Sequence, residues 1–506
     1  MRANGYVPTD PEATIWDVVI VGTGAGGATA GFNLARLGRS VLFLERGKVF
    51  NDSGGVTTNR TLTFVPGKVS PDSRPQSSEN CSRRITSELS LCTGYGVGGT
   101  TSHYSMTLER FRRADFEPHT PMRASRSAAL SQSWPIQYED LAPFYAEAEA
   151  LYRVRGTSDS LMSEHSALLD PLPPSQVETI IHDSLVQSGL HPYRMHYARE
   201  RFPGCDGCPA VPCPHDCRND AGRICALPAL ESFGAQILPE CLVTKLEAKG
   251  RSVLGAICIW NGRRRVIRGK IFILALNALS TPGLLLRSSN ETFPDGLANS
   301  SGMVGRNLML HVSDEIHVKF VGLDGPLNAQ LSNGLAVNDF YSWQGVKLGN
   351  IHLHAERSGA QAEVGYAVES GTALFSTIVE DFPYPENRVL LESGNPEEIS
   401  WQYTYPDELR TRSAMLTQAF AEAIQPIGEI SVAKPYGALN RTHMCGTCRF
   451  GADPRTSVLD RDNRAHDLDN VYVLDASFFP TSGGINPALT VIANSLRASA
   501  LIARQW

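Results

Sequence analysis

Asp17-Val-Val-Ile-Val-Gly22-Thr-Gly24-Ala-Gly-Gly27, an alanine-rich stretch to about Leu37, and then Ser40-Val-Leu-Phe-Leu-Glu45 decide the fold. The first five residues form a continuous apolar run, as expected of a strand buried on both faces. The glycines follow at Gly-x-Gly-x-x-Gly spacing. Gly22 permits a tight turn, Gly24 lets backbone approach a pyrophosphate, and Gly27 lets the following helix pack on the strand. A second apolar run ends in Glu45, about twenty residues on, where an acid can accept hydrogen bonds from a ribose diol. Strand, glycines, helix, strand and acid fall in register, so residues 17–45 predict a βαβ dinucleotide-binding unit. FAD and NAD are not distinguished by this unit alone.

Composition narrows the classes on either side of it. A chain of 506 residues is too long for one ordinary core, so more than one domain is expected. Hydrophobic residues at 42% against 19% charged exclude a disordered or fibrous chain. The net charge of -6 leaves no basic excess for phosphate backbones and argues against nucleic acid. The longest apolar run, Ile271–Leu276, is too short to span a bilayer, and residues 1–8 lack the apolar core of a signal peptide. A cytoplasmic location is the resulting expectation.

Two further stretches carry chemistry. Gly94-Tyr-Gly-Val-Gly98-Gly99-Thr-Thr-Ser-His103 is a second glycine-rich segment, whose backbone at Gly98 and Gly99 could lie flush against a flat ring. Near the C-terminus, His443-Met-Cys-Gly-Thr-Cys448 precedes a short apolar strand, Asn470-Val-Tyr-Val-Leu-Asp475. That strand leads through Gly483-Gly-Ile-Asn486 to a helix over 488–502. An imidazole is the side chain best suited to accept a proton near neutral pH. An asparagine amide can orient a hydroxyl without competing for that proton. A strand end, a glycine turn and a helix start form a ready site for a phosphate or a flavin edge.

The intervening segments are read more coarsely. Residues before Trp16 read as a frayed leader, and 50–90 as a polar loop or lid rich in turns. Residues 134–153 predict a turn and an amphipathic helix, 236–276 a meander followed by a core strand, and 311–440 short antiparallel strands. Ser280 is the expected N-cap of a helix carrying Pro282 in its first turn. His352 and His354 fall on one face of a predicted strand, which suits a metal or a pocket wall, although such residues are more often surface or satisfied core histidines. Cys205, Cys208, Cys213 and Cys217 stand at C-x2-C-x4-C-x3-C spacing in a Pro/Gly-rich segment. They could converge on zinc or an iron–sulfur cluster.

Taken together, the chain resembles the glucose–methanol–choline family of FAD oxidoreductases. The resemblance rests on residues 17–45, Gly94–Phe111, Asn277-Ala-Leu-Ser-Thr-Pro-Gly-Leu-Leu-Leu286, Val304-Gly-Arg-Asn-Leu-Met-Leu-His311 and the run from His443 to Ile502. It implies an α/β fold with a Rossmann-like FAD-binding domain and a mainly antiparallel substrate domain. The FAD-binding parts would be 1–120, 226–310 and 441–506. A lid segment (121–200), the Cys-rich segment (201–225) and the substrate domain (311–440) complete the division. FAD would lie along Gly22, Gly24, Gly27 and Glu45, with Val243 beside the adenine and Asp475 near the ribityl–pyrophosphate. His443 matches the family's base and Asn486 its partner. Phe450 replaces a usual methionine, and Leu276-Asn277-Ala278 a usual Ala-Gly-Ala, where asparagine can still supply a positive φ.

The resemblance also implies the reaction: FAD-dependent oxidation of a CH–OH group of a sugar-like alcohol, with dioxygen or an external acceptor taking the electrons. Gly98–Tyr104 is similar to a sugar-oxidase stretch whose histidine bonds flavin covalently and to related dehydrogenases whose similar histidine makes no such bond, which would place His103 at the flavin with or without a covalent link. The spacing from Cys208 to Cys217 resembles dehydrogenases carrying a three-iron cluster, with Cys205 two residues removed from the expected place. Relatives in aminoglycoside biosynthesis share a Cys-rich segment. The competing readings are a lyase that holds FAD only structurally, or oxidation of a non-sugar alcohol or sterol.

Overall fold

A computed structural model describes residues 5–49, 61–71, 87–117, 133–162, 168–200, 217–325, 327–354, 369–392, 395–432 and 437–506. Strand Ile15–Val21 lies at the centre of a parallel sheet between Val41–Leu44 and the second half of Arg263–Leu274. Its Val18, Val19 and Ile20 have no exposed surface, as the unbroken apolar run requires. Strands Gln236–Leu238 and Val471–Val473 extend the sheet on its two sides. Strand Arg263–Leu274 changes role along its length. Its charged first half pairs with the meander Leu242–Lys249 and Ser252–Trp260, and its apolar Ile271–Leu274 is buried in the parallel sheet. The meander and core strand expected over 236–276 are both present.

Helix Ala25–Arg36 starts directly after Gly24 and packs against helix Ala488–Ala503, with Asn33 Nδ2 donating to Ser499 Oγ at 2.8 Å. Small residues make this approach possible. A Cβ at Gly26 would collide with the Leu474 carbonyl, and one at Gly27 with the Gly22 carbonyl. A Cβ at Gly24, whose φ of -73° any residue adopts, would meet nothing within 4 Å. Two glycine variants should therefore separate fold from cofactor. Gly24→Ala is expected to stay within about 1 kcal/mol of the parent in unfolding free energy but to lose bound FAD. Gly26→Ala is expected to yield no folded protein. Urea unfolding and FAD content per chain check both, and a Gly24→Ala protein carrying full FAD would refute the placement.

The second layer is mainly antiparallel. Strands Glu315–Phe320, Gly349–Leu353 and Thr372–Val379 form its centre, flanked by Leu335–Val337 and Gly428–Val432. Helix Asp407–Ile424 packs on this sheet through Leu416 and Phe420. That helix is a correction to the all-strand expectation for 311–440. Leu409, Leu416, Phe420 and Ile424 recur at helical spacing and are buried, a period that short apolar pieces on either side obscured.

Three other expectations are corrected. Residues 61–71 and 87–95 are paired strands, not a loop. They join Arg388–Glu392 and Asn395–Tyr405 in a four-stranded sheet, with Trp401 Nε1 donating to Val65 O at 2.9 Å. Pro66 is accommodated in this pairing, opposite Ser90. Residues 5–14 are anchored: Ile237 N donates to Tyr6 O, and Glu12 accepts from Val266 N and Arg265. The helix Ser280–Arg287 is capped not by Ser280 but by Asn277, whose Oδ1 accepts from Leu279 N and Ser280 N. Asn277 sits at φ 98°, the conformation its side chain tolerates. Among the described residues, no helix is long and apolar enough to cross a membrane.

Candidate active site

A cavity of about 1180 Å³ runs from the first glycine turn to the C-terminal loop. It is lined by Gly22, Gly24, Glu45, Gly99, Val243 and Asp475, and also by His103, His352, His354, His443 and Asn486. Gly27 packs beneath the turn, and Gly98 behind the wall, with its N–H on Thr23 O. The sequence-predicted residues are thus gathered around one space, apart from the Cys-rich segment. Cys205, Cys208 and Cys213 lie outside the described residues, and Cys217 is buried. No group of three or more potential metal ligands occurs among the described residues.

The glycine end is built for an anion. Helix Ala25–Arg36 begins at Gly24 with no side-chain cap, so its first N–H groups face the open space where a Gly24 Cβ would sit. Glu45 ties the surrounding loops together. Its Oε2 accepts from Thr23 N and Oγ1 at 3.1 and 2.6 Å, and its Oε1 from Gly47 N and Gly96 N at 2.8 and 2.9 Å. Through Gly96, the second glycine stretch is held against the first. Asp475 does the same on the opposite side, accepting from Asn277 N, Thr281 Oγ1, Ser477 N and Ser477 Oγ. Burial raises the Asp475 carboxyl above its usual range, against these bonds, which lower it. An uncapped helix start, an open cradle at Gly24 and a long cavity beyond it fit a bound dinucleotide.

His443, which lines the cavity, faces a second imidazole. His443 Nδ1 lies 2.9 Å from His311 Nδ1, with the two rings perpendicular. His311 Nε2 is 2.8 Å from Gly483 O and 3.1 Å from Ser482 O. Carbonyl oxygens only accept, so His311 carries its proton on Nε2 and offers a lone pair at Nδ1. His443 must then donate from Nδ1, which leaves its Nε2 lone pair for the cavity. Burial first, and then the neighbouring His311 and His354 imidazoles, hold His443 well below the ordinary imidazole range. Burial lowers His311 too, although its carbonyl partners oppose the shift. Both rings are therefore neutral near pH 7. Asn486 is 7% exposed, and its Oδ1 is buried with no hydrogen-bond partner among the described residues. Such an orphaned acceptor marks a place for a ligand donor.

Sequence reasoning assigned no role to His311. It ends a quoted motif, but 132 residues separate it from His443. Only the fold brings the two rings together. His352 and His354 were expected as surface or satisfied core histidines more readily than as a metal site or pocket wall. They line the cavity, and their ring centroids are 4.1 Å apart. Burial depresses His354 to about 4.

Residues 181–313 and 383–495 match two family models, both described as GMC oxidoreductase. Paromamine 6'-oxidase of Streptomyces fradiae is 28% identical, covering 98% of this chain and 92% of its own. The 6'''-hydroxyparomomycin C oxidase of Streptomyces lividus is also 28% identical, over 97% and 91%. The fructose dehydrogenase large subunit of Gluconobacter japonicus is 26% identical, over 96% and 97%. Among solved structures, pyridoxine 4-oxidase from Mesorbium loti has the same fold, with a TM-score of 0.66 at 18% identity over 97% of this chain and 99% of that one.

Proposed function

This chain belongs to the GMC oxidoreductase family and is an FAD-dependent alcohol oxidoreductase, and from that premise we propose that it oxidises a CH–OH group of a sugar, aminosugar or cyclitol to the carbonyl. The observation that carries the reading is the His311–His443 pair, which leaves an imidazole lone pair on a residue lining the same cavity as Asn486 and its orphaned Oδ1. Relatives named for paromamine and fructose support a sugar-like alcohol.

Gly22, Gly24 and the start of helix Ala25–Arg36 would hold the FAD diphosphate, with Val243 and Asp475 along its length. FAD, when bound, supplies the hydride acceptor. His443 Nε2 takes the hydroxyl proton while its Nδ1–H keeps donating to His311 Nδ1. Asn486 orients the alcohol. Holding the reacting groups in reach supplies the proximity component of the rate. We take the setting to be cytoplasmic, where Cys225, Cys241, Cys258, Cys445 and Cys448 persist as thiols.

Anaerobic mixing with glucosamine, an inositol or another polyol tests this reading. The flavin absorbance is expected to bleach. The acid limb of the kcat/KM profile is expected below the ordinary imidazole value of about 6.5, because His443 stays neutral to lower pH. A limb at or above neutrality would remove His443 as the base. Failure of every such alcohol to bleach the flavin would remove the sugar-like substrate class.

A further inference from the structure

We propose that His352 is a second substrate-reading group, set by a buried amide chain so that the pocket selects alcohols bearing a further hydroxyl or ammonium group. This rests on the alcohol-oxidation reading above and specifies which alcohols.

The chain starts at Asp159, whose Oδ2 accepts from Arg112 Nη1 at 3.0 Å and from Asn338 Nδ2 at 2.9 Å. A carboxylate paired with a guanidinium only accepts, so Asn338 presents its NH₂ there and turns its oxygen away. That oxygen accepts from Asn350 Nδ2 at 2.7 Å. The Asn350 oxygen is left facing His352 Nδ1 at 2.9 Å. Each amide orientation forces the next. The His352 proton therefore sits on Nδ1, and Nε2 carries a lone pair. Asp159, Asn338, Asn350 and His352 are all 5% exposed or less. A fully connected buried network of this kind holds one arrangement rigidly.

Of the four, only His352 lines the cavity. Its strand, Gly349–Leu353, also fixes the loop bearing Asn486, since Asn350 N donates to Gly484 O at 3.0 Å. Burial and the nearby His354 and His443 rings keep His352 neutral, so Nε2 stays an acceptor. The cavity thus offers acceptors at His443, His352 and Asn486. The reacting hydroxyl brings one proton, so the others need donors elsewhere on the substrate. Polyols and aminosugars have them, and monofunctional alcohols do not. A site built around a ligand donor discriminates against analogues lacking it.

Anaerobic flavin reduction by glucosamine, scyllo-inositol and cyclohexanol tests the proposal in the wild type and in His352→Phe, His352→Leu and His352→Gln. The preference for either polyhydroxy substrate over cyclohexanol, as a ratio of kcat/KM, is expected to fall about 10–100-fold with phenylalanine or leucine, mainly through KM. Either variant suffices if the other does not fold. Glutamine, whose amide oxygen accepts, is expected to restore part of the preference. A ratio within about threefold of wild type, or equal losses on all three alcohols, overturns the His352 assignment while leaving the oxidation reading intact. Absence of bleaching by all three in the wild type overturns both.

Discussion

Replacing His443 with alanine is expected to slow substrate-driven flavin reduction by about 10²–10⁴-fold while FAD remains bound, the magnitude of a lost general base. Retention of FAD follows from position. His443 is no part of the first glycine turn, and none of the loops tied by Glu45 depends on it. The rate should fall because the group that takes the hydroxyl proton is removed, while the His352 lone pair is committed to a second group of the substrate. Asn486→Ala should slow reduction less, because it removes orientation but leaves the proton acceptor. Single-turnover reduction under anaerobic conditions measures both, and a near-normal rate in His443→Ala would sink the assignment.

Arg110→Met is expected to cost about 3–5 kcal/mol of stability, because it leaves a buried carboxylate without its guanidinium. Arg110 binds Glu149 in a forked pair, Nε to Oε1 and Nη2 to Oε2, both at 2.6 Å. The two side chains are 4% and 0% exposed. The pair joins the segment after the second glycine stretch to helix Tyr138–Tyr152, which reaches helix Ala488–Ala503 through Tyr145 OH and Thr490 Oγ1 at 2.7 Å. Replacing both partners, Arg110→Met with Glu149→Leu, should recover most of the loss, since an apolar pair of similar volume leaves no buried charge. Urea unfolding followed by circular dichroism reads both proteins. A single variant as stable as the parent would show that Glu149 needs no counter-charge.

The helix carrying Glu149 was expected from its pattern, but only as scaffold. Its inward acid is indistinguishable in sequence from the exposed Glu147 two residues before it. Which carboxylate meets Arg110 depends on helix rotation and on the packing of three separated segments. The hairpin of residues 61–95 was missed for a related reason. Its partner strand Asn395–Tyr405 lies some three hundred residues on, and turn residues dominated the local pattern.

The sequence by itself determined the dinucleotide unit, because every feature of it is local. The apolar run, the glycines and the strand after them lie together in residues 17–45, and Gly27 is where a Cβ would strike the carbonyl of Gly22 within the same turn. It also marked His443 and Asn486, since a glycine turn next to a helix start brings reactive side chains to a strand end. Tertiary structure decided what those side chains can do. The tautomer of His443 is set by His311 and two carbonyls of the 482–483 loop, and that of His352 by an amide chain reaching back to Asp159. Hydrogen-bond direction propagates through contacts between residues distant in sequence, so a proton's position becomes defined only when the chain has closed around it.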